Sequence, residues 1–114
     1  MKAIGLVLLI CLLPLSVDAD DAVPAEIDHL LRSIGSSDCT FIRNGKRYDS
    51  GAAEEHLRMK YRNGKRYAPT AEKFIERLAS NSYLSKKPYY IECNGEKTPS
   101  ADWLTEVLIS YSKD

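Results

Sequence analysis

Cys39-Thr40-Phe41-Ile42-Arg43-Asn44-Gly45-Lys46-Arg47-Tyr48 decides how this chain folds. Asn-Gly is the favoured pair for a two-residue type I′ turn, because both central positions need φ > 0. The stretch therefore predicts a β-hairpin in which Arg43 faces Lys46, Ile42 faces Arg47 and Phe41 faces Tyr48. Side chains alternate across a strand, so Cys39, Phe41 and Tyr48 share one face, expected to be the buried one.

Working outward, the residues before the hairpin read as a helix. Pro24 suits a first helical position, Ile27, Leu30, Leu31 and Ile34 recur at helical spacing, and Gly35 is placed to stop the turn. After the hairpin, Asp49 or Ser50 can cap a second helix from about Ala52 to Arg62, with Ala53, Leu57 and Tyr61 on its apolar stripe. Thr70 can cap a third, which sets Ala71, Phe74, Ile75, Leu78 and Ser82 against Glu72, Lys73, Glu76 and Arg77. Lys86-Lys87-Pro88 breaks that pattern. Tyr89 to Cys93 then alternates as a strand, with Tyr89, Ile91 and Cys93 on one face, and Asn94-Gly95 turns the chain. Pro99 opens a last helix whose apolar side is Trp103, Leu104, Val107, Leu108 and Tyr111. The implied fold class is α+β, a small antiparallel sheet (hairpin plus one strand) covered on one face by about four helices.

The amino terminus sets the compartment. Met1-Lys2, an apolar run from Ala3 to Leu13, the breaker Pro14 and Val17-Asp18-Ala19 have the layout of a secretory signal peptide, with cleavage expected after Ala19. A membrane span needs about 20 apolar residues, and Pro14, Ser16 and Asp18 end this run early. The reading is residues 1–19 as signal peptide and 20–114 as a single globular domain, periplasmic or secreted, without stable membrane insertion once the signal is cut.

Of three cysteines, Cys11 leaves with the signal, so Cys39 and Cys93 remain in a chain bound for an oxidising compartment. They are expected to form one disulfide, whose loop of about 55 residues is worth roughly 4 kcal/mol in the chain-entropy model. The pattern leaves open which hairpin strand the third strand pairs with; a Cys39–Cys93 bond favours the first.

The expected mature chain is neutral: loss of Lys2 and Asp18 from 16 basic and 16 acidic side chains leaves 15 of each. Its charge is unevenly spread, however. Arg-Asn-Gly-Lys-Arg-Tyr occurs at 43–48 and again at 62–67, and between Arg43 and Arg66 eight basic side chains meet three acidic ones. In the second copy Asn63 or Gly64 is expected to take the left-handed cap conformation. Arg43, Lys46, Arg47, Arg62, Lys65 and Arg66 are thus a candidate anion-binding patch for an acidic cell-envelope component or protein, although charge runs of this length are usually solvated surface, which is the simpler reading. Zero net charge argues against nucleic acid as partner.

His29 and His56 have no ligand-type partner four residues away, so neither a metal nor another cofactor is implied, and no phosphate-binding glycine loop is present. His56 could serve as a general base near Ser82 or Ser85, and Glu54, Glu55 or Glu72 could pair as acid and base. No spacing singles either arrangement out, and a partly buried, hydrogen-bonded histidine with solvated carboxylates is the preferred reading, since no nucleophile motif such as G-x-S-x-G accompanies them.

Cys39 to Gly45, Ala53 to Leu57 with Lys60-Tyr61, Thr70 to Ile75, Lys87-Pro88-Tyr89 and Trp103-Leu104, in this order, resemble the YfeK-like family of small exported bacterial (periplasmic) proteins of unknown function. The resemblance spans nearly all of the expected domain and carries over no catalytic residues. It implies glycine where this chain has Lys86, and it does not include the second basic hexapeptide. The sequence thus supports a non-enzymatic binding or accessory module of the cell envelope, with a small hydrolase using His56 and a nearby glutamate or serine as the alternative.

Overall fold

A computed structural model describes residues 22–113; the expected signal peptide, Cys11 and the cleavage point lie outside them. The elements run α1 (Ala25–Gly35), β1 (Thr40–Arg43), β2 (Lys46–Tyr48), α2 (Ser50–Gly64), a 3₁₀ turn (Lys65–Tyr67), α3 (Ala71–Leu78), β3 (Tyr90–Cys93), β4 (Glu96–Pro99) and α4 (Ser100–Lys113). The fold is α+β, as expected, but its antiparallel sheet has four strands in the order β2-β1-β3-β4. The hairpin plus one strand has become two hairpins. Glu96-Lys97-Thr98-Pro99 is an exposed edge strand without apolar alternation, so nothing in its composition signals pairing, and Pro99 closes the strand, leaving Ser100 to begin α4.

The first hairpin has the register its turn dictates, Phe41↔Tyr48, Ile42↔Arg47 and Arg43↔Lys46. Asn44 and Gly45 have φ +51° and +79°, and the second hairpin repeats the device with Asn94 at +52° and Gly95 at +82°. β3 pairs with β1, placing Phe41 opposite Ile91 and Thr40 opposite Glu92. One step further along, Cys39 and Cys93 are bonded, their Cα atoms 4.7 Å apart.

Phe41 and Ile91 are buried on the helix-covered side of the sheet, and Phe41 and Tyr89 join the core formed by Leu30 and Leu31 of α1, Leu57 of α2, Phe74 of α3 and Leu104 of α4. On the other side Ile42, between Arg47 and Tyr90, is the buried residue. Charged side chains shield that side: Arg47 bridges to Glu92, and Lys97 lies over the Tyr90 ring at 4.6 Å.

The caps on α2 and α3 form as read. Asp49 Oδ1 accepts from the Ala52 N–H at 2.7 Å, and Thr70 Oγ1 from the Lys73 N–H at 3.1 Å, each satisfying an amide without a helical partner. Four local expectations are corrected. Pro24 is the cap residue of α1, one position before the helix. Gly35 ends α1 without a left-handed turn; a Cβ there would sit 1.8 Å from Glu54 Oε1, so the glycine admits α2. Neither Asn63 nor Gly64 is left-handed; Gly64 has φ −125°, and a Cβ on it would come within 3.1 Å of Leu78 Cδ2. Finally, α3 stops at Leu78, so Ser82 belongs to the following loop. That loop carries Lys86 at φ +62°, which gives a backbone reason for the glycine that the family resemblance implies there.

Candidate functional site

The type I′ turn fixes the position of Asn44, whose side chain ties the first hairpin to the loop after α3. Asn44 Nδ2 donates to Ser82 Oγ at 3.3 Å, and Ser85 Oγ donates to Asn44 Oδ1 at 2.6 Å. The loop is closed at its base, where the Ser82 N–H meets the Lys87 carbonyl at 3.0 Å and the Tyr89 N–H meets the Ser80 carbonyl at 2.8 Å. Between turn, loop and α2 lies a cleft of about 420 Å³, lined by Arg43, His56, Lys60, Ser82, Tyr83 and Tyr89 among others.

His56 and Lys60 are four residues apart on α2 and share one helix face. Lys60 Nζ donates to the Tyr89 hydroxyl at 3.0 Å and to the Asn81 carbonyl at 3.3 Å. The His56 ring stands edge-on to Tyr89, centroids 6.4 Å apart. Its Nε2 is buried and has no hydrogen-bond partner among the described residues. Arg43 Nη2 donates to the Tyr48 hydroxyl at 3.2 Å, with the guanidinium 5.2 Å from that ring's centroid. Behind Arg43 and His56 is a smaller cavity of about 140 Å³, walled by Phe41, Tyr48, Ala52 and Ala53.

These groups crowd positive charge into a partly dehydrated space. Burial, assisted by Arg43, lowers Lys60 from 10.5 to about 8. Burial also holds His56 below its ordinary value of 6.5, with Arg43 and Lys60 adding to the effect. Burial raises Tyr89, while Arg43 acts in the opposite direction. At neutral pH the cleft therefore presents two cations, a neutral imidazole and several hydroxyls. Among the described residues no acidic side chain lines it, and neither Arg43 nor Lys60 forms an ion pair. This chemistry suits a carboxylate or phosphate group. A depression of similar size beside His29 and Trp103, about 400 Å³, is lined instead by Asp102 and Glu106.

Of the six basic residues expected to form a patch, Arg43 enters the cleft. Lys46 is its cross-strand partner, exposed on the second strand. Arg47 lies on the opposite side of the sheet, engaged with Glu92. Arg62 is exposed near the end of α2, and Lys65 and Arg66 occupy the 3₁₀ turn, the Arg66 guanidinium 5.0 Å from the Tyr67 ring. Glu54 is held by Arg58 at 2.8 Å, and Ser82 and Ser85 bond Asn44, so none of these three contacts His56 Nε2. Sequence reasoning did not assign Lys60 or Tyr89 to a site. The spacing of His56 and Lys60 was the available signal, but an exposed helix surface gives the same spacing until Tyr89 and Asn81 are brought beside it.

The model of the family of unknown function DUF5329 matches residues 21–112. The chain is also 35% identical over 86 residues to "Uncharacterized protein YfeK" of Salmonella typhimurium strain LT2, an alignment covering 75% of this chain and 72% of that relative. No solved structure matches it.

Proposed function

The chain belongs to the family of unknown function DUF5329, and from that premise we propose that it is an exported, non-enzymatic binding module of the bacterial cell envelope, whose cleft receives a carboxylate or phosphate group of its partner between Arg43 and Lys60. The carrying observation is that these two cations line one cleft with no acidic side chain of the described residues on its walls. Like charges held together away from bulk water destabilise the charged form, and an anion placed between them reverses that effect. Burial first, and the neighbouring Arg43 second, lower Lys60 to about 8.

Export is supported by the leader-like residues 1–19 and by the Cys39–Cys93 disulfide, which persists in oxidising compartments. A hydrolase built on His56 needs a nucleophile or a second carboxylate within hydrogen-bond reach of the imidazole. Ser82 and Ser85 bond Asn44 instead, so the geometry favours binding.

Titration of the ¹⁵N-labelled protein with inorganic phosphate, and separately with succinate, tests the reading. Saturable shifts are expected at Arg43, His56, Lys60 and Ser82 to Ser85, and they should disappear in an Arg43→Gln/Lys60→Met double variant. Shifts spread over the whole surface, or undiminished in that variant, would remove the cleft from the account.

A further inference from the structure

The loop that closes the cleft also presents the most exposed large apolar side chains given by the fold. Tyr83 is 83% exposed and Leu84 87%, while Met59, Ile109 and Tyr67 lie between 43% and 52%. Exposed single apolar residues are ordinary, but two adjacent ones at the tip of a loop braced at its base by hydrogen bonds form a small protruding wedge. The charge carried along the same segment is of one sign. From Arg77 to Ile91 the chain carries Arg77, Lys86 and Lys87 and no acidic residue. Lys86 and Lys87 are exposed directly after the tip, and Lys86 is held in a backbone conformation that L-residues rarely adopt.

The two basic hexapeptides meet this loop from two directions. Asn44 of the first copy bonds Ser82 and Ser85. Tyr67, which ends the second copy, lines a depression of about 450 Å³ together with Arg77, Leu78 and Tyr83, and Arg77 Nη1 donates to the Tyr67 carbonyl at 3.0 Å. Tyr83 thus borders both this depression and the Arg43–Lys60 cleft. The repeat, whose copies adopt different local structures, places Arg66 and Tyr67 beside an apolar tip that the first copy holds in place.

We infer that Tyr83 and Leu84, with Tyr67 beside them and Arg66, Arg77, Lys86 and Lys87 around them, dock the protein peripherally on the anionic surface of a phospholipid bilayer. Tyrosine and leucine at a protruding tip suit the boundary between headgroups and acyl chains, and the flanking cations complement anionic headgroups. Charge complementarity and a convex, apolar tip favour a bilayer over an acidic protein, which would have to provide a pocket for Leu84. This attachment stands independently of the cleft, although it would bring the cleft close to headgroup phosphates.

The test is cosedimentation with vesicles, using protein purified as the cell exports it, with its amino terminus determined by mass. Binding to phosphatidylglycerol–phosphatidylethanolamine vesicles is expected at low salt, at least tenfold tighter than to pure phosphatidylcholine, and weakened by added salt. Tyr83→Ser/Leu84→Ser should reduce it at least tenfold, and Lys86→Gln/Lys87→Gln several-fold, with thermal midpoints retained because all four side chains are exposed. Phosphate shifts at Arg43, His56 and Lys60 should survive in Lys86→Gln/Lys87→Gln, whose side chains do not line the cleft, and vesicle binding should survive in Arg43→Gln/Lys60→Met, so the two proposals fail separately. No binding to anionic vesicles, or binding unchanged by the tip substitutions, overturns the inference. So does capture of a soluble acidic protein that depends on the tip while vesicles are ignored.

Discussion

Lys60 Nζ donates to the Tyr89 hydroxyl at 3.0 Å, which couples a helix-surface cation to the most voluminous fully buried side chain of the described residues. The pair gives the protein an alkaline signature. Lys60 titrates near 10.5 when unfolded and about 8 in the fold, so between these values the unfolded chain holds the extra proton and stability rises with pH. Above pH 10 the raised Tyr89 acts in the opposite sense, because the unfolded tyrosine loses its proton first. Urea midpoints from pH 7.5 to 11 should therefore climb and then fall, and the climb should flatten in Lys60→Met. A wild-type midpoint that declines steadily from pH 8 contradicts the assignment.

Gly45 and Gly95 occupy equivalent turn positions with φ near +80°, and a Cβ on either meets no atom within 4 Å. Alanine at each should cost about 1 kcal/mol or more through backbone conformation alone. Gly64→Ala should cost stability for a different reason, the approach to Leu78. A Leu78→Val background should therefore shrink the Gly64→Ala loss and leave the Gly45→Ala loss unchanged, a non-additivity that a double-mutant cycle measures.

Lys86→Gly should stabilise the fold by about 1 kcal/mol, since its φ of +62° disfavours any side chain. The same substitution removes a cation from the tip loop, so its urea midpoint and its vesicle affinity should move in opposite directions. An unchanged midpoint would mean that the loop relaxes the strain elsewhere.

The purified protein should gain two hydrogens in mass on reduction. Opening the Cys39–Cys93 bond, which spans 54 positions, should lower stability by roughly 4 kcal/mol in the chain-entropy model, readable as a drop in the urea midpoint with a steeper slope, because the reduced unfolded chain is less compact. A midpoint insensitive to reduction would assign the fold's stability to the helices and sheet alone.

The first hairpin could be read residue by residue because a two-residue turn at Asn44-Gly45 permits one register, whereas the strand pattern left the partner of β3 open and only the expected Cys39–Cys93 bond favoured β1. Helix stripes were equally plain wherever Leu, Ile and Phe recur at helical spacing, as at Ile27 to Ile34. β4 escaped notice because an edge strand of Glu, Lys, Thr and Pro has no buried face to impose alternation. Gly35 and Gly64 were taken for conformational signals, whereas each serves a contact with a residue from another element, Glu54 and Leu78, that local sequence cannot reveal. The cleft was hidden for the same reason: Arg43, His56 and Lys60 acquire a shared environment only when Tyr89, 29 positions beyond Lys60, passes between the helices and the sheet.

The bond between Cys39 and Cys93 also divides the molecule into a covalent ring and two tails. The ring contains β1 to β3, α2, α3, the cleft and the exposed Tyr83–Leu84 tip, while α1 and α4 are tails joined at its closure. A protease that cuts at the tip would linearise the ring without releasing a fragment, leaving a species heavier by one water that separates into two pieces only under reduction. Among the described residues, the loop with the most exposed large apolar side chains is thus also one where cleavage leaves both halves of the protein tethered.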